Sequence, residues 1–493
     1  MSETKEVPEE GVPSGEPPPP SVLANGGLTL EDCIASALRN NPELLAAGED
    51  AVAARAEKRS KGAARWPSIN LTGNYFHHQD TQRLGVPTPP GQPQYFANDI
   101  AAADIVVRLP LYAGGRIVNE FRAAELLAQA EAHQLNRTRN ETVFNVTSTY
   151  YNILAQEKVV ESTAFSRDTL EQHLARVEEL IAAEKAAQVD ALRTGVRLAD
   201  IEHQLLEAQN VQDIHYRLLA NFMGLDDHAT ETLTVAGPLP PLDSTEPLAV
   251  DKVVAQAYDQ RSDYSAAQAA LEAQARRVDV ARGAREPALT LEAAYGGRWG
   301  FGGSGASATD NTPSFTIDAA GNPSWMQTRP LSGGGSLTTT YGTQGLSSQR
   351  YTLPTGESPE DFEDLGRVGL TVNVPIFEGG RINADIRRER ARLRAAQQRL
   401  RKLEHDIRLE AQTAVLNANS ARKRVHVTRK SIAEAEESLR IEHLKYNLGK
   451  GAIVDVLDAQ DALLTAQTNY YRALSDYRVA RAEVQLAAGG EVP

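Results

Sequence analysis

Asp455 and Asp458 stand three residues apart, just beyond Gly449 and Gly451, in the stretch YNLGKGAIVDVLDAQ. On a helix that spacing puts both carboxylates on one side. Repeated around a narrow pore, such a pair attracts cations and repels anions. An acid in a first helical turn is also favoured by the helix macrodipole alone. The function therefore depends on what surrounds the pair.

Other candidates for chemistry are weaker. GKGA at Gly449 lacks the upstream glycine and the following Ser/Thr of a phosphate loop. FGGSGAS around Ser304 is not a G-x-S-x-G elbow. His77-His78 falls at the end of an expected strand with no further metal-ligating cluster, and reads as a surface pair. The acidic stretch Gly356–Gly366 has irregular ligand spacing, so a solvated loop is expected rather than a calcium site. No catalytic set, cofactor site or metal site is expected.

The chain has 493 residues and a net charge of −14, which disfavours nucleic acid as a partner. One cysteine, Cys33, excludes an intrachain disulfide. No run of about 18 apolar residues reads as a membrane helix. Residues 1–27 are acidic and proline-rich and are expected to be disordered, with no apolar signal core. A cytoplasmic chain and one whose signal has been replaced would look alike here.

The elements that position the acids come from a duplication. Leu28–Tyr75 aligns with Leu248–Tyr295 at a constant offset of 220, without a gap. Pro110, Gly114, Gly115, Arg116 and Ile117 recur as Pro375, Gly379, Gly380, Arg381 and Ile382, at an offset of 265. Val189-Asp190 recurs as Val454-Asp455 at that same offset. The second copy has gained about 45 residues, assigned to a Gly/Ser/Thr-rich loop within 300–366. The first repeat is placed at 28–227, a linker at 228–247, the second repeat at 248–488 and a tail at 489–493.

Each repeat reads helix, strand, loop, strand, helix, break, helix. The first helices are expected over about 30–64 and 250–284. The long ones are expected over 117–182 and 382–447, and the last ones over 189–224 and 452–488. The long helices lack proline and are rich in Ala, Glu, Arg, Gln and Leu. Some 65 residues at 1.5 Å each reach roughly 100 Å, which implies a coiled-coil or tubular architecture.

The strands are expected at 68–77, 100–111, 288–299 and 367–377, each about the length of a tilted barrel strand. One face is apolar: Ile69, Leu71, Tyr75, Ile105, Val107, Leu291, Tyr295, Val368 and Leu370. The other carries Asn70, Asp104, Arg108, Glu292, Arg367 and Asn373, the expected lining of a lumen. Tyr112, Trp299 and Phe377 lie near strand ends, where aromatic girdles sit. A soluble sheet lying on helices would show the same alternation. Four strands cannot close in lipid without unpaired edges, so copies must pool them. Two copies give eight strands and a filled barrel; three give twelve and leave a lumen.

The segments LTLEDCIASALRNNPEL, LPLYAGGR, VPIFEGGR and YNLGKGAIVDVLDAQDALLTAQ make residues 28–488 resemble the TolC family of outer-membrane efflux and secretion channels. The resemblance implies a mainly α chain with a membrane β-barrel. It implies a homotrimer with a twelve-stranded barrel in outer-membrane lipid and a long α-helical tunnel in the periplasm. An inner-membrane pump and a periplasmic adaptor are the implied partners, meeting the helix breaks at 182–190 and 448–456. A removed signal peptide is implied too. Asp455 and Asp458 are then the pore constriction. Some members latch it with an arginine after the glycine turn, bonded to a tyrosine and an aspartate. Tyr446 and Asp190 match those partners; the arginine position is Gly451, with Lys450 adjacent. The competing expectation is a soluble coiled-coil scaffold or adaptor without channel activity.

Overall fold

The computed structural model describes residues 27–79, 99–184, 187–226, 233–242, 247–299, 312–317, 323–330, 336–342, 345–352, 363–448 and 450–490. The N-terminal stretch, Ser304 and most of Gly356–Gly366 lie outside them. The chain divides into two compact units. One comprises Met1–Arg59, Glu120–Val278 and Ile386–Pro493; the other comprises Ser60–Asn119 and Asp279–Asp385.

The first unit is helical. α1 (Leu30–Asn40) starts at a capping box: the Asp32 N–H donates to the Thr29 hydroxyl, and the Thr29 N–H to the Asp32 carboxylate. α2 (Pro42–Ala63) follows after a single residue. The one expected helix over 30–64 is therefore two. Pro42 has no N–H to continue the ladder, and the Asn41 side chain instead accepts from the Leu44 N–H at 3.0 Å. The second repeat breaks at the equivalent place without a proline, between α5 (Val250–Gln260) and α6 (Ser262–Gly283). Arg261, at the position of Asn41, is buried there and donates to Asp263 and Glu410, each at 2.6 Å.

The long helices are α3 (Arg116–Ala182), α4 (Gln188–Phe222), α7 (Arg381–Asn447) and α8 (Ile453–Ala488). Along α7 the buried positions run Ala411, Ala414, Ala418, Ala421, Val425. Along α8 they run Ala473, Tyr477, Ala480, Val484, Ala487. Both sets alternate steps of three and four, the period of a left-handed coiled coil, and alanine lets the backbones approach. The expected linker is tied down: Val235 bridges Leu28, and the Ala236 N–H donates to the Leu28 carbonyl at 2.8 Å.

The second unit holds two antiparallel sheets. The first has the order β1-β2-β3-β8, with β1 Ser68–His77, β2 Asp99–Ala113, β3 Ala288–Trp299 and β8 Glu363–Asn373. β8 lies four residues upstream of its expected place. Its register ends where Asn373 meets Ala288; Pro287 and Pro375, beyond that pair, have no N–H for a ladder. β2 is longer than expected and carries an irregularity between Pro110 and Tyr112, where Pro110 cannot donate.

The stretch 300–366, expected as a loop, instead contains a second sheet. It comprises β4 (Thr312–Ile317), β5 (Pro323–Pro330), β6 (Ser336–Gly342) and β7 (Gly345–Thr352), in sequence order. Gly, Ser and Thr made it read as loop. Yet Phe315, Trp325 and Tyr341 occupy successive register positions, an aromatic row suited to a sheet.

The glycine turns of the two repeats differ in their surroundings. Gly114 has φ +61° and Gly379 has φ +59°. A Cβ on Gly114 would stand 2.4 Å from the Gly283 carbonyl oxygen and 2.5 Å from the Glu286 Cβ; one on Gly379 would meet nothing within 4 Å. Gly379→Ala should cost only the left-handed strain of ~1–2 kcal/mol. Gly114→Ala should cost ~2–5 kcal/mol in all, because overpacking adds to the same strain. Denaturant unfolding of the two variants side by side checks this; equal losses would contradict it.

Candidate functional site

The two helix breaks lie in the helical unit. α3 runs to Ala182, and the Glu184 N–H donates back to the Ile181 carbonyl at 2.9 Å. Glu184 takes φ +57°, the left-handed position that glycine fills by preference. This is how the first repeat turns without a glycine. Glu184→Gly should relieve ~1 kcal/mol of strain and raise the Tm in detergent. A lowered Tm would show that the glutamate side chain contributes more than the strain costs.

α7 ends at Asn447, and the Lys450 N–H donates to the Lys445 carbonyl at 2.9 Å. Gly449 lies outside the described residues. A Cβ on Gly451 would approach the Lys445 Cβ to 3.1 Å and the Tyr446 nitrogen to 3.2 Å. Glycine therefore suits the close crossing of these two turns, and an arginine there would push its neighbours apart by a few tenths of an ångström.

α8 begins at Ile453. Ile453, Val456 and Leu457 are buried, and Ile453 and Leu457 pack with Leu170 of α3 and Ile201 of α4. That fixes the rotation of α8 and leaves Asp455 and Asp458 together on its exposed side. Asp455 also accepts from the Ala452 N–H at 3.3 Å. So the macrodipole and capping roles are real for Asp455, beside any role in a passage.

Tyr446 and Asp190, which the resemblance matched to latch partners, interact electrostatically across the breaks. Burial, then the Asp190 carboxylate, raise the pKa of the Tyr446 phenol, while Arg176 of α3 opposes them. Lys450 is exposed and Gly451 supplies no side chain; the cation that acts on this tyrosine is Arg176 of α3.

Other residues at the break were not singled out from sequence. Asp461 continues the three-residue spacing of Asp455 and Asp458, but it is ion-paired with Arg197 of α4. Gln460 is buried and donates to the Ser166 carbonyl at 3.3 Å. The spacing could have revealed Asp461; only the fold reveals its partner. His173 of α3 lies edge-on to His443 of α7, with ring centroids 6.2 Å apart, and 5.7 Å from the Tyr446 ring. Burial, then His443 and Arg176, hold the His173 imidazole below its usual pKa.

In the other unit, the register sets the six polar strand residues on one face. Arg108 pairs with Glu292, Thr72 with Asp104, and Ala294 with Arg367; Asn70 and Asn373 fall on the same side. Glu292 lies between two cations, 3.5 Å from Arg108 and 3.6 Å from Arg367. The opposite face is apolar from Ile69 to Tyr75 and from Val368 to Val372, and it is open: Leu71 is 76%, Val368 78% and Leu370 59% exposed.

A family model described as "Outer membrane efflux protein" matches residues 33–225 and 336–490. The chain is similar to the proteases secretion protein PrtF of Dickeya chrysanthemi, 25% identical over 446 residues, covering 89% of this chain and 83% of PrtF. It is similar to the outer membrane protein TolC of Escherichia coli K12, 24% identical over 131 residues, which span 26% of this chain and only 27% of TolC. For the outer membrane efflux protein BepC of Brucella suis, 28% identical over 155 residues, the shares are 31% and 34%. In fold it is similar to the outer membrane protein VceC of Vibrio cholerae, with TM-score 0.72, 19% identity and coverage of 94% and 97%. It is likewise similar to the CmeC outer membrane channel of Campylobacter jejuni, with TM-score 0.73, 15% identity and coverage of 94% and 86%. The doubled helix–strand–helix order, the one-sided apolar sheet and the match over most of the chain agree: this chain belongs to the outer membrane efflux protein family.

Proposed function

We propose that the chain is one subunit of an outer-membrane exit duct. Three copies close a twelve-stranded barrel, and their long helices form a conduit that receives substrates from an inner-membrane pump through a periplasmic adaptor. The duct conducts passively and is gated at the helix breaks. The observation that carries this reading is the sheet β1-β2-β3-β8. Its open face is apolar, its other face is polar, and β1 and β8 are its edges. A soluble scaffold would cover such a face; a bilayer requires it. Lipid also forbids free strand edges, so β1 of one copy must meet β8 of the next. The names of the similar proteins, which include an outer-membrane efflux protein and a protease secretion protein, support the same role.

On this reading Asp455 and Asp458 form two stacked rings of carboxylates at the constriction. Asn70, Asp104, Arg108, Glu292, Arg367 and Asn373 line the barrel. Tyr446, Asp190, Lys450, Gly449 and Gly451 frame the gate. Gly451 takes the position of the latch arginine that the resemblance implies, so that residue forms no latch here.

The test is a planar bilayer recording of the purified, detergent-extracted trimer. Discrete, small, cation-selective steps are expected. Protein that stays soluble and monomeric without detergent would overturn the reading.

A further inference from the structure

We propose that His173 and His443 form a binding site for one divalent transition-metal ion that ties α3 to α7. The geometry comes first. The two rings meet edge-on, at 82°, with centroids 6.2 Å apart. An ion held ~2.0–2.1 Å from one nitrogen of each ring places the centroids ~5–6 Å apart. The observed pair is close to that separation, and a small turn of either ring suffices.

The second observation is an orphaned atom. Nε2 of His173 is buried and has no hydrogen-bond partner among the described residues. A buried polar nitrogen left unpaired is costly, and a metal ion is a partner that accepts its lone pair. Imidazole nitrogen suits zinc, copper and nickel, while magnesium and calcium prefer oxygen. The ion is thus a borderline transition metal rather than an alkaline-earth ion.

The surroundings limit the affinity. Among the described residues there is no group of three His, Cys, Asp or Glu able to hold an ion, so water completes the shell. Arg176 stands one turn along α3 from His173 and opposes a second cation.

The two histidines are not equivalents in the duplication. At the offset of 265, His173 corresponds to Ser438 and His443 to Glu178. The pair therefore joins one helix of each repeat, close above the breaks at Ala182 and Asn447. An ion there would hold the two tips together. That it would oppose opening rests on the reading of these breaks as a gate; the binding itself does not.

The experiment is a calorimetric titration of zinc chloride into the full-length trimer in detergent, with excess magnesium present. It is done in the Asp455→Asn/Asp458→Asn background, so that the acidic pair cannot contribute and the cap on α8 is kept. One zinc per chain is expected, with affinity falling at least tenfold in His173→Gln and again in His443→Gln. Size-exclusion elution and circular dichroism of the two variants should match the parent. Equal binding in the glutamine variants, or no binding in the parent, overturns the site. Zinc should also lower bilayer conductance of the parent and not of His173→Gln. Histidine-dependent binding with unchanged conductance overturns the clamp and leaves the site standing.

Discussion

Leu370→Lys should abolish insertion into outer-membrane lipid, whereas Thr371→Lys, one residue away, should be tolerated. The register makes the distinction. Leu370 pairs with Leu291, which pairs in turn with Leu109, a row of leucines on the open apolar face. Thr371 pairs with Thr290 on the face of Glu292 and Arg108. A lysine near the midplane of a barrel's lipid face costs ~2–4 kcal/mol, and three copies incur it together, roughly 6–12 kcal/mol per trimer. The lysine at Thr371 meets water and shifts selectivity toward anions. Fractionation of membranes, followed by bilayer recording of the tolerated variant, reads both arms. Equal insertion of the two variants would mean that this face does not contact lipid.

Much of this was legible in the residues because period and punctuation are local. Alternation fixed the faces of the four strands, since a slip of one residue would have inverted them. The absence of proline across α3 and α7 foretold their length. What escaped depended on partners distant in sequence. The β8 boundary is set by where Ala288 stops pairing, not by the alternation, which continues to Ile376. The break at Arg261 needs Glu410, far along the chain, to compensate a buried guanidinium. The second sheet was hidden because Gly, Ser and Thr weaken the local strand signal while cross-strand pairs such as Trp325–Tyr341 supply it. At the break, spacing found Asp455 and Asp458. The pairing of Asp461 with Arg197, and the meeting of His173 with His443, are products of packing between helices.

Replacing Asp455 and Asp458 with asparagine should remove most of the cation selectivity and of the block by multivalent cations, while leaving assembly intact. Asparagine separates two roles that alanine would confound. Asp455 caps the start of α8 through the Ala452 N–H, and asparagine retains that acceptor. Only the charge is lost. If the acids serve the helix end alone, the asparagine pair changes nothing in the recording. If they form rings, six carboxylates vanish from a narrow passage. At close range, charges interact by ~1 kcal/mol in bulk water and several-fold more in a confined, lower-dielectric site. A tenfold fall in the cation-to-anion permeability ratio is therefore expected, ~1.4 kcal/mol. The effect should shrink as salt rises, because screening within ~10 Å at 0.1 M already weakens the rings of the parent. Asp461→Asn is the control. Its partner Arg197 would keep only Asp200 on its own helix, 4.0 Å away, and lose its tie to α8, so the helix packing should loosen while selectivity stays. Selectivity that follows Asp461 rather than the exposed pair would move the constriction about one turn further along α8.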